Sequence, residues 1–357
     1  QAVKTEIADS LHGLDATHQE SVDATLIALD GTPNKARLGG NATIAVSMAM
    51  LHAAAQAAGL PVWRMLAGDN AVRLPLPEIQ ILGGGAHAGR RIDIQDCMVM
   101  PLGAESFDEA AFMTAEIYAA AGLLMAKSDR LAGVADEGGW WPVFDSNEEA
   151  LEMLVRAIEA AGYIPGDQVG ISLDIAASEF GSAAGYTLGL EQRRLDSDGL
   201  IEMLLEWIDR YPIVSIEDPV AEDDHTGMAR FTAAVGETIQ VIGDDYLVTN
   251  ADRIAEAVRH GACNAALIKP NQAGTITETK AALDAAKAAG WGTIASARSG
   301  ESEDLTIVQL AIGWDAGQLK VGSITRSERT AKWNEVIRIE EALGDAARFA
   351  GRNVLPT

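Results

Sequence analysis

Five apolar runs from Ile171 onward in this 357-residue chain each end on a side chain that can hold a metal or move a proton. Ile171-Ser-Leu ends on Asp174, Ile213-Val-Ser-Ile on Glu217, Gln240-Val-Ile-Gly on Asp244, Ala266-Leu-Ile on Lys269, and Gln318-Leu on Lys320. Three carboxylates brought to one point repel each other unless a divalent cation sits among them, and an all-oxygen donor set suits Mg2+ or a similar hard ion. Asp174, Glu217 and Asp244 are therefore the candidate ligands. Lysines crowded by one another and by a cation lose their protons more readily, so one of Lys269 and Lys320 can serve as a neutral general base. That set suits removal of a proton next to a carboxylate, with the cation stabilising the charge that develops. The expected reaction class is carbanion chemistry.

Other residues supply the remaining parts of such a reaction. Glu137 lies in the turn Asp136-Glu-Gly-Gly139, where glycines let the backbone approach a ligand while the acid projects beside it. Near other carboxylates it would keep its proton to higher pH, as a general acid for a departing hydroxide must. Ser296-Ala-Arg298-Ser299-Gly300 offers a guanidinium and a hydroxyl suited to a phosphate, which Arg298 can grip with two parallel bonds. His87 follows three glycines, and Gln95 and Asp96 precede Cys97-Met-Val-Met, where side chains alternate inward and outward. These three are candidate substrate contacts.

The elements that position these groups follow from their spacing. From Val169 onward strand-like and helix-like stretches alternate, and the strand-end residues, with Arg298 among them, recur at intervals of 22 to 43 positions. That is a strand plus a helix. Short, wholly apolar strands imply parallel strands covered by helices, and many such units favour closure into a barrel with its chemistry at the strand C-terminal ends. Upstream, residues 92–102 read as a strand and 107–126 as a long helix. Ser146-Asn-Glu-Glu149 reads as a capping box opening another helix. Residues 1–70 lack strands and carry an alanine-rich helix over 41–58 closed by Gly59, so the reading is a helical front section (1–70) followed by a catalytic barrel (71–357).

A formal charge of −25, with a pI near 4.5, leaves no basic stripe for nucleic acid or an anionic membrane. Composition is 48% apolar, ample for a large core. Cys97 and Cys263 lie in apolar runs and read as buried free thiols, which fits a reducing cytoplasm. No uninterrupted apolar stretch reaches the roughly 20 residues of a membrane span. The chain opens at Gln1, and residues 2–11 read as the middle of a helical region, so the expected start lies upstream.

With these residues assembled, the chain resembles the enolase family over nearly its whole length. The resemblance rests on Leu29-Asp-Gly-Thr, Gly40-Asn-Ala, Ile94-Gln-Asp, Asp136-Glu-Gly-Gly, Ala176-Ala-Ser-Glu-Phe, Tyr211-Pro-Ile-Val-Ser-Ile-Glu-Asp-Pro, Gly243-Asp-Asp, Ile268-Lys-Pro-Asn-Gln, Arg298-Ser-Gly-Glu-Ser-Glu-Asp and Arg338-Ile-Glu-Glu-Ala-Leu-Gly. Enolase-superfamily sites are themselves the standing example of a lysine or histidine base working beside one or two Mg2+ ions. The resemblance implies an α/β fold, an enolase-type (β/α)8 TIM-like barrel preceded by the helical remainder of a small α+β domain. It further implies the glycolytic dehydration of 2-phosphoglycerate to phosphoenolpyruvate, a small phosphorylated carboxylic acid as substrate, and a homodimer or higher homo-oligomer. Carried over by position, Asp174, Glu217 and Asp244 hold one Mg2+, and a second arrives with substrate. Lys269 becomes the base at C2 and Glu137 the acid at the C3 hydroxyl. Lys320 supports the substrate carboxylate, Arg298 and Ser299 take the phosphate, and His87, Gln95 and Asp96 approach the substrate.

Three departures accompany the resemblance. The family's opening strands and mobile serine loop fall before Gln1, Ala297 stands where the family has histidine, and Asp96 stands where it has glutamate, one methylene longer. Ala297 and Asp96 motivate one alternative, an enolase-like paralogue acting on a related phosphonate or phosphorylated carboxylic acid; a further alternative, a barrel kept as a non-catalytic scaffold, is opposed by the presence of all three carboxylates and both lysines.

Overall fold

The computed structural model describes residues 2–356. Eight strands close into a barrel: β1 (Leu76–Gly83), β2 (Asp96–Met100), β3 (Gly170–Asp174), β4 (Ile213–Glu217), β5 (Gln240–Gly243), β6 (Ala265–Ile268), β7 (Gly292–Ser296) and β8 (Gly317–Lys320). Closure comes from pairing of β8 with β1, which sets Leu76 beside Gln318 and Glu78 beside Lys320. Side chains alternate between two apolar environments, as the unbroken apolar runs require. Ile242, Ala265, Leu267 and Ile294 pack together inside the barrel, whereas Val241, Ala266, Ile268 and Ala295 join the larger core beneath the helices.

One strand corrects the all-parallel expectation. β2 runs antiparallel to both β1 and β3. The cause is its connection: the loop from Gly84 to Gln95 holds only a short 3-10 turn (Gly85–Ala88), and a parallel return would need a crossover, usually a helix. The reversal also shortens the strand foreseen over 92–102, because Ile92 to Gln95 turn back on the loop, with Gly85 N donating to Ile92 O at 2.9 Å and Gly84 N to Gln95 O at 2.8 Å. In consequence the first residue of β2, not its last, lies at the rim where the other strands end. Asp96 pairs with Asp174 there.

Between β2 and β3 the chain forms two helices, Phe107–Lys127 and Glu148–Ala160, separated by a hairpin of Leu131–Val134 and Trp140–Pro142 whose turn carries Glu137. The hairpin joins the barrel sheet at Leu82 and Trp140. Phe107–Lys127 is long and apolar enough by composition to cross a membrane, but Phe107, Met113, Ile117, Ala121 and Met125 are buried, and it packs against β1 and the following helix. Later helices begin on side-chain caps that each contribute about 1 kcal/mol: Asp196 for Ser197–Arg210, Asp224 for His225–Val235, Asn250 for Ala251–His260 and Thr275 for Ile276–Ala288.

The front section is helical, with Gln19–Asp30 and Gly40–Ala58 its two long elements. Both dock on the start of Ile276–Ala288. Asp23 Oδ2 accepts from Thr277 N at 2.9 Å, Ser47 Oγ accepts from Ile276 N at 2.9 Å, and Lys35 pairs with Glu278 at 2.8 Å. These contacts fix the segment that follows Lys269.

Beneath the rim where the strands end lies a buried polar layer. Gln240 Nε2 donates to Ser215 Oγ and to Gln318 Oε1, each at 3.0 Å, and Ser172 Oγ donates to Glu78 Oε2 at 3.1 Å. Burial lifts the Glu78 carboxyl to about 7, with Lys320 acting in the opposite sense. A carboxyl raised in this way costs the fold stability as pH climbs from its unfolded value of 4.5 through 7. The full difference is about 3 kcal/mol. Glu78→Gln should therefore gain on the wild type by about that amount between pH 4.5 and pH 8 in chelator. Urea midpoints at the two pH values measure it, and parallel shifts would refute the assignment.

Candidate active site

The rim gathers the predicted residues because neighbouring strands end in register. Asp96, Asp174 and Glu217 stand side by side on β2, β3 and β4. Lys320 closes β8 opposite them, and Asp244 and Lys269 follow directly on β5 and β6. Lys320 Nζ donates to Asp174 Oδ2 at 2.8 Å and Glu217 Oε2 at 2.7 Å, and lies 3.6 Å from Asp96 Oδ2. Lys269 Nζ donates to Asp244 Oδ2, whose other oxygen accepts from Gln272 Nε2 at 2.9 Å. Gln95 Nε2 reaches Asp174 Oδ2 at 3.1 Å.

The arrangement is strongly perturbed. Burial and then Asp174 push the Glu217 carboxyl well above the usual range. Burial and then Asp96 raise Glu137. Burial opposes charge on Lys320, yet Asp174, Glu217 and Asp96 outweigh it and hold the ammonium far above its ordinary value. Lys269 follows the same pattern. Burial favours its neutral form, but Asp244 and Glu217 prevail and raise it, so without a cation both lysines are protonated.

The residues fit a hard divalent cation. Glu217 Oε1 is buried without a hydrogen-bond partner, and at the rim Asp96, Glu137, Asp174, Glu217, Asp218 and Asp244 outnumber the cationic Lys269, Lys320 and His87. An excess of buried carboxylates with an unused oxygen is a site awaiting positive charge. Asp174, Glu217 and Asp244 could hold it. A second grouping, Asp218, Asp244 and Asp245, has ligand oxygens within 4.8 Å of one another. Asp218 is already engaged, accepting from Asp244 N at 3.0 Å and Asp245 N at 2.8 Å. Its φ of +41° turns the chain back for these bonds, a conformation that aspartate tolerates better than most residues.

On the opposite side, His87 Nε2 lies 2.7 Å from Ser299 Oγ and Nδ1 lies 3.4 Å from Asp96 Oδ1. Burial opposes protonation of His87, but Asp96 overcomes it and lifts the imidazole to about 9. Arg298 is exposed, on a cleft of about 260 Å3 beside Asn41, Ile44 and Met48 of the front section. That cleft shares Ser296 and Arg298 with a small cavity of about 20 Å3 lined by Gln95, Asp96, Glu137, Asp174, Lys269 and Lys320. Ala297 lines the cavity too.

The glycines after Glu137 serve packing rather than ligand approach. A Cβ on Gly138, whose φ is +98°, would lie 2.6 Å from Thr325 O, and one on Gly139 2.5 Å from Gln80 Oε1. Glu137 O accepts from Ser323 N at 2.9 Å. The turn is thus clamped between β1 and the chain after β8.

Several supporting residues were not foreseen. Buried Arg329 donates to Arg298 O at 2.7 Å and to Ser299 O at 2.5 Å, fixing the proposed phosphate segment from below. Thr249 Oγ1 accepts from Lys269 N at 2.9 Å and donates to Gln272 Oε1 at 2.6 Å, tying the lysine to the Asp244 clamp. Gln80 bridges Asp96 and Gly139. Only the run Ile268-Lys-Pro-Asn-Gln carried a hint, by setting Gln272 three residues after Lys269.

Comparison with known proteins agrees with this geometry. The profile described as "Enolase, C-terminal TIM barrel domain" matches residues 71–357, and "Enolase, N-terminal domain" matches residues 1–66. The protein named Enolase 1 from Desulfitobacterium hafniense (strain Y51) is 49% identical over 355 residues, which is 99% of this chain and 81% of that protein. On profiles covering almost the whole sequence and a relative of that similarity, the chain belongs to the enolase family.

Proposed function

We propose that the protein is a hydro-lyase that reversibly dehydrates 2-phosphoglycerate to phosphoenolpyruvate, with Lys269 as base and Glu137 as acid. The observation carrying this reading is that both side chains line one small cavity together with Asp174 and Lys320. In its neutral form Lys269 Nζ takes the C2 proton, and the electron pair spreads into the adjoining carboxylate, which the Lys320 ammonium faces. Glu137, which burial and Asp96 make hold its proton to higher pH than an ordinary carboxyl, then gives that proton to the C3 hydroxyl. The C3–O bond breaks, the C2 electron pair forms the C2=C3 bond, and water leaves. Arg298 and Ser299 take the phosphate, with His87 as a further donor and Gln95 and Asp96 beside the reacting carbons. Asp174, Glu217 and Asp244 would hold Mg2+, with a second ion arriving with substrate. Bound Mg2+ supplies positive charge for the substrate carboxylate as negative charge builds there.

Family membership supports a glycolytic role and a homodimer. The two buried, unpaired cysteines support a reducing cytoplasm. The profile matches support a division between two domains near residue 70.

Purified protein with excess Mg2+ should convert 2-phosphoglycerate to phosphoenolpyruvate, read from the ultraviolet absorbance of the product. Absence of product sinks the proposal. Ala297, which removes a donor from the cavity, motivates the phosphonate reading, and faster turnover of a phosphonate analogue than of 2-phosphoglycerate would favour it instead.

A further inference from the structure

Gln80 projects from β1 into the barrel, is 1% exposed, and uses both ends of its amide. Nε2 donates to Asp96 Oδ1, while Oε1 accepts from Gly139 N at 2.7 Å. The orientation is fixed by chemistry. A flipped amide would set its NH2 against the Gly139 N–H and its oxygen against the Asp96 carboxylate, losing both bonds. The fit is also tight, since a Cβ on Gly139 would lie 2.5 Å from Oε1 and one on Gly83 3.4 Å from Nε2. Asp96 lies at the start of β2, and Gly139 is two residues beyond Glu137 in the hairpin turn. One buried side chain therefore spans the two pieces of backbone that face the leaving-group side of the cavity.

On the hydratase reading, on which this rests, we propose that Gln80 is a positioning residue for the proton-donating half of the reaction. By fixing the gap between Asp96 and the Glu137 turn, it aligns Glu137 with the departing hydroxyl. Lys269 and Asp244 are held by a separate clamp of Thr249 and Gln272, so loss of Gln80 leaves the proton-abstracting half in place.

The span has a length that can be tested. Gln80 is a long amide meeting a short carboxylate, and exchanging them for asparagine and glutamate keeps the same groups and the same total number of methylenes. Gln80→Asn alone leaves the bridge short, Asp96→Glu alone overfills it, and the double variant restores it.

Two rates should be measured on the full chain with Mg2+: phosphoenolpyruvate formation, and exchange of the C2 proton of 2-phosphoglycerate with deuterated solvent. Gln80→Asn should lower kcat for dehydration about 100-fold, the scale of a misplacement of about 1 Å, with KM and C2 exchange nearly unchanged. The double variant should recover at least about tenfold over Gln80→Asn, a coupling of the size seen between directly bonded residues. Gln80→Met, of similar volume, serves if Gln80→Asn does not fold, and should show the same loss of dehydration with exchange retained. Dehydration and exchange falling together, or a double variant no better than the product of the single ones, overturns the proposal. Wild-type protein that forms no phosphoenolpyruvate overturns the hydratase reading and the role of Gln80 with it, whereas an active wild type separates the two.

Discussion

Lys269→Met is expected to lower dehydration by about 10²- to 10⁴-fold, the usual contribution of a positioned base, and to abolish solvent exchange of the C2 proton. Divalent-cation binding should survive. The distinction rests on where Asp244 finds its partners: Lys269 holds one oxygen, but Gln272 holds the other at 2.9 Å and remains after the substitution. Lys320 keeps Asp174 and Glu217 in place from the other side. Methionine has nearly the length of lysine and is apolar, so it fills the buried space without a proton-accepting atom. Retained C2 exchange in this variant would remove Lys269 as the base, and lost cation binding would mean that it also shapes the metal site.

Glu217→Gln is expected to move stability and function in opposite directions. In the cation-free protein Glu217 is buried beside Asp174, has an oxygen with no partner, and is held well above its ordinary range by burial and that neighbour. A neutral amide relieves the repulsion, so the variant should melt higher than the wild type in chelator. With Mg2+ the order reverses. A ligand that binds only the folded state stabilises it by about 2.7 kcal/mol at 100 times its Kd, and the variant lacks one charged ligand. Melting temperatures with chelator and across a Mg2+ titration provide the check. A variant that gains as much from Mg2+ as the wild type would exclude Glu217 from the metal site, and activity should fall only where the gain is lost.

The rim was legible in the sequence to a considerable depth. Asp174, Glu217 and Lys320 each close a strand, and Asp244 and Lys269 fall one residue beyond, because a buried parallel strand shows as an apolar run whose end is marked by its first charged residue. Two things were not legible. The direction of β2 depends on the length of the chain before it, and Ile92 to Gln95 alternate apolar and polar residues as a strand can, so nothing local marks them as loop. The supporting hydrogen bonds were hidden for a related reason. Gln80 and Gly139 are 59 residues apart, and Arg329 and Arg298 31 apart, so nothing local to either member of a pair names the other. Spacing also shows which charges converge on Lys269 but not which outweigh the rest: with no cation among them, Asp244 and Glu217 prevail over burial and raise it.

The reversed second strand has a mechanical consequence. Because β1 hands directly to β2, His87 and Gln95 sit on the same short loop, with Asp96 at its far foot, and the loop is fastened to itself by the Gly84–Gln95 and Gly85–Ile92 bonds. In an ordinary barrel, contacts from successive strands sit on separate loops that can each yield independently. Here the three groups proposed to approach the substrate share one loop, and His87 O, accepting from Asp136 N at 3.1 Å, ties that loop to the turn bearing Glu137. Movement at that one place would shift His87, Gln95 and Asp96 together, while Lys269, the proposed base, stays on its separate Thr249 and Gln272 contacts.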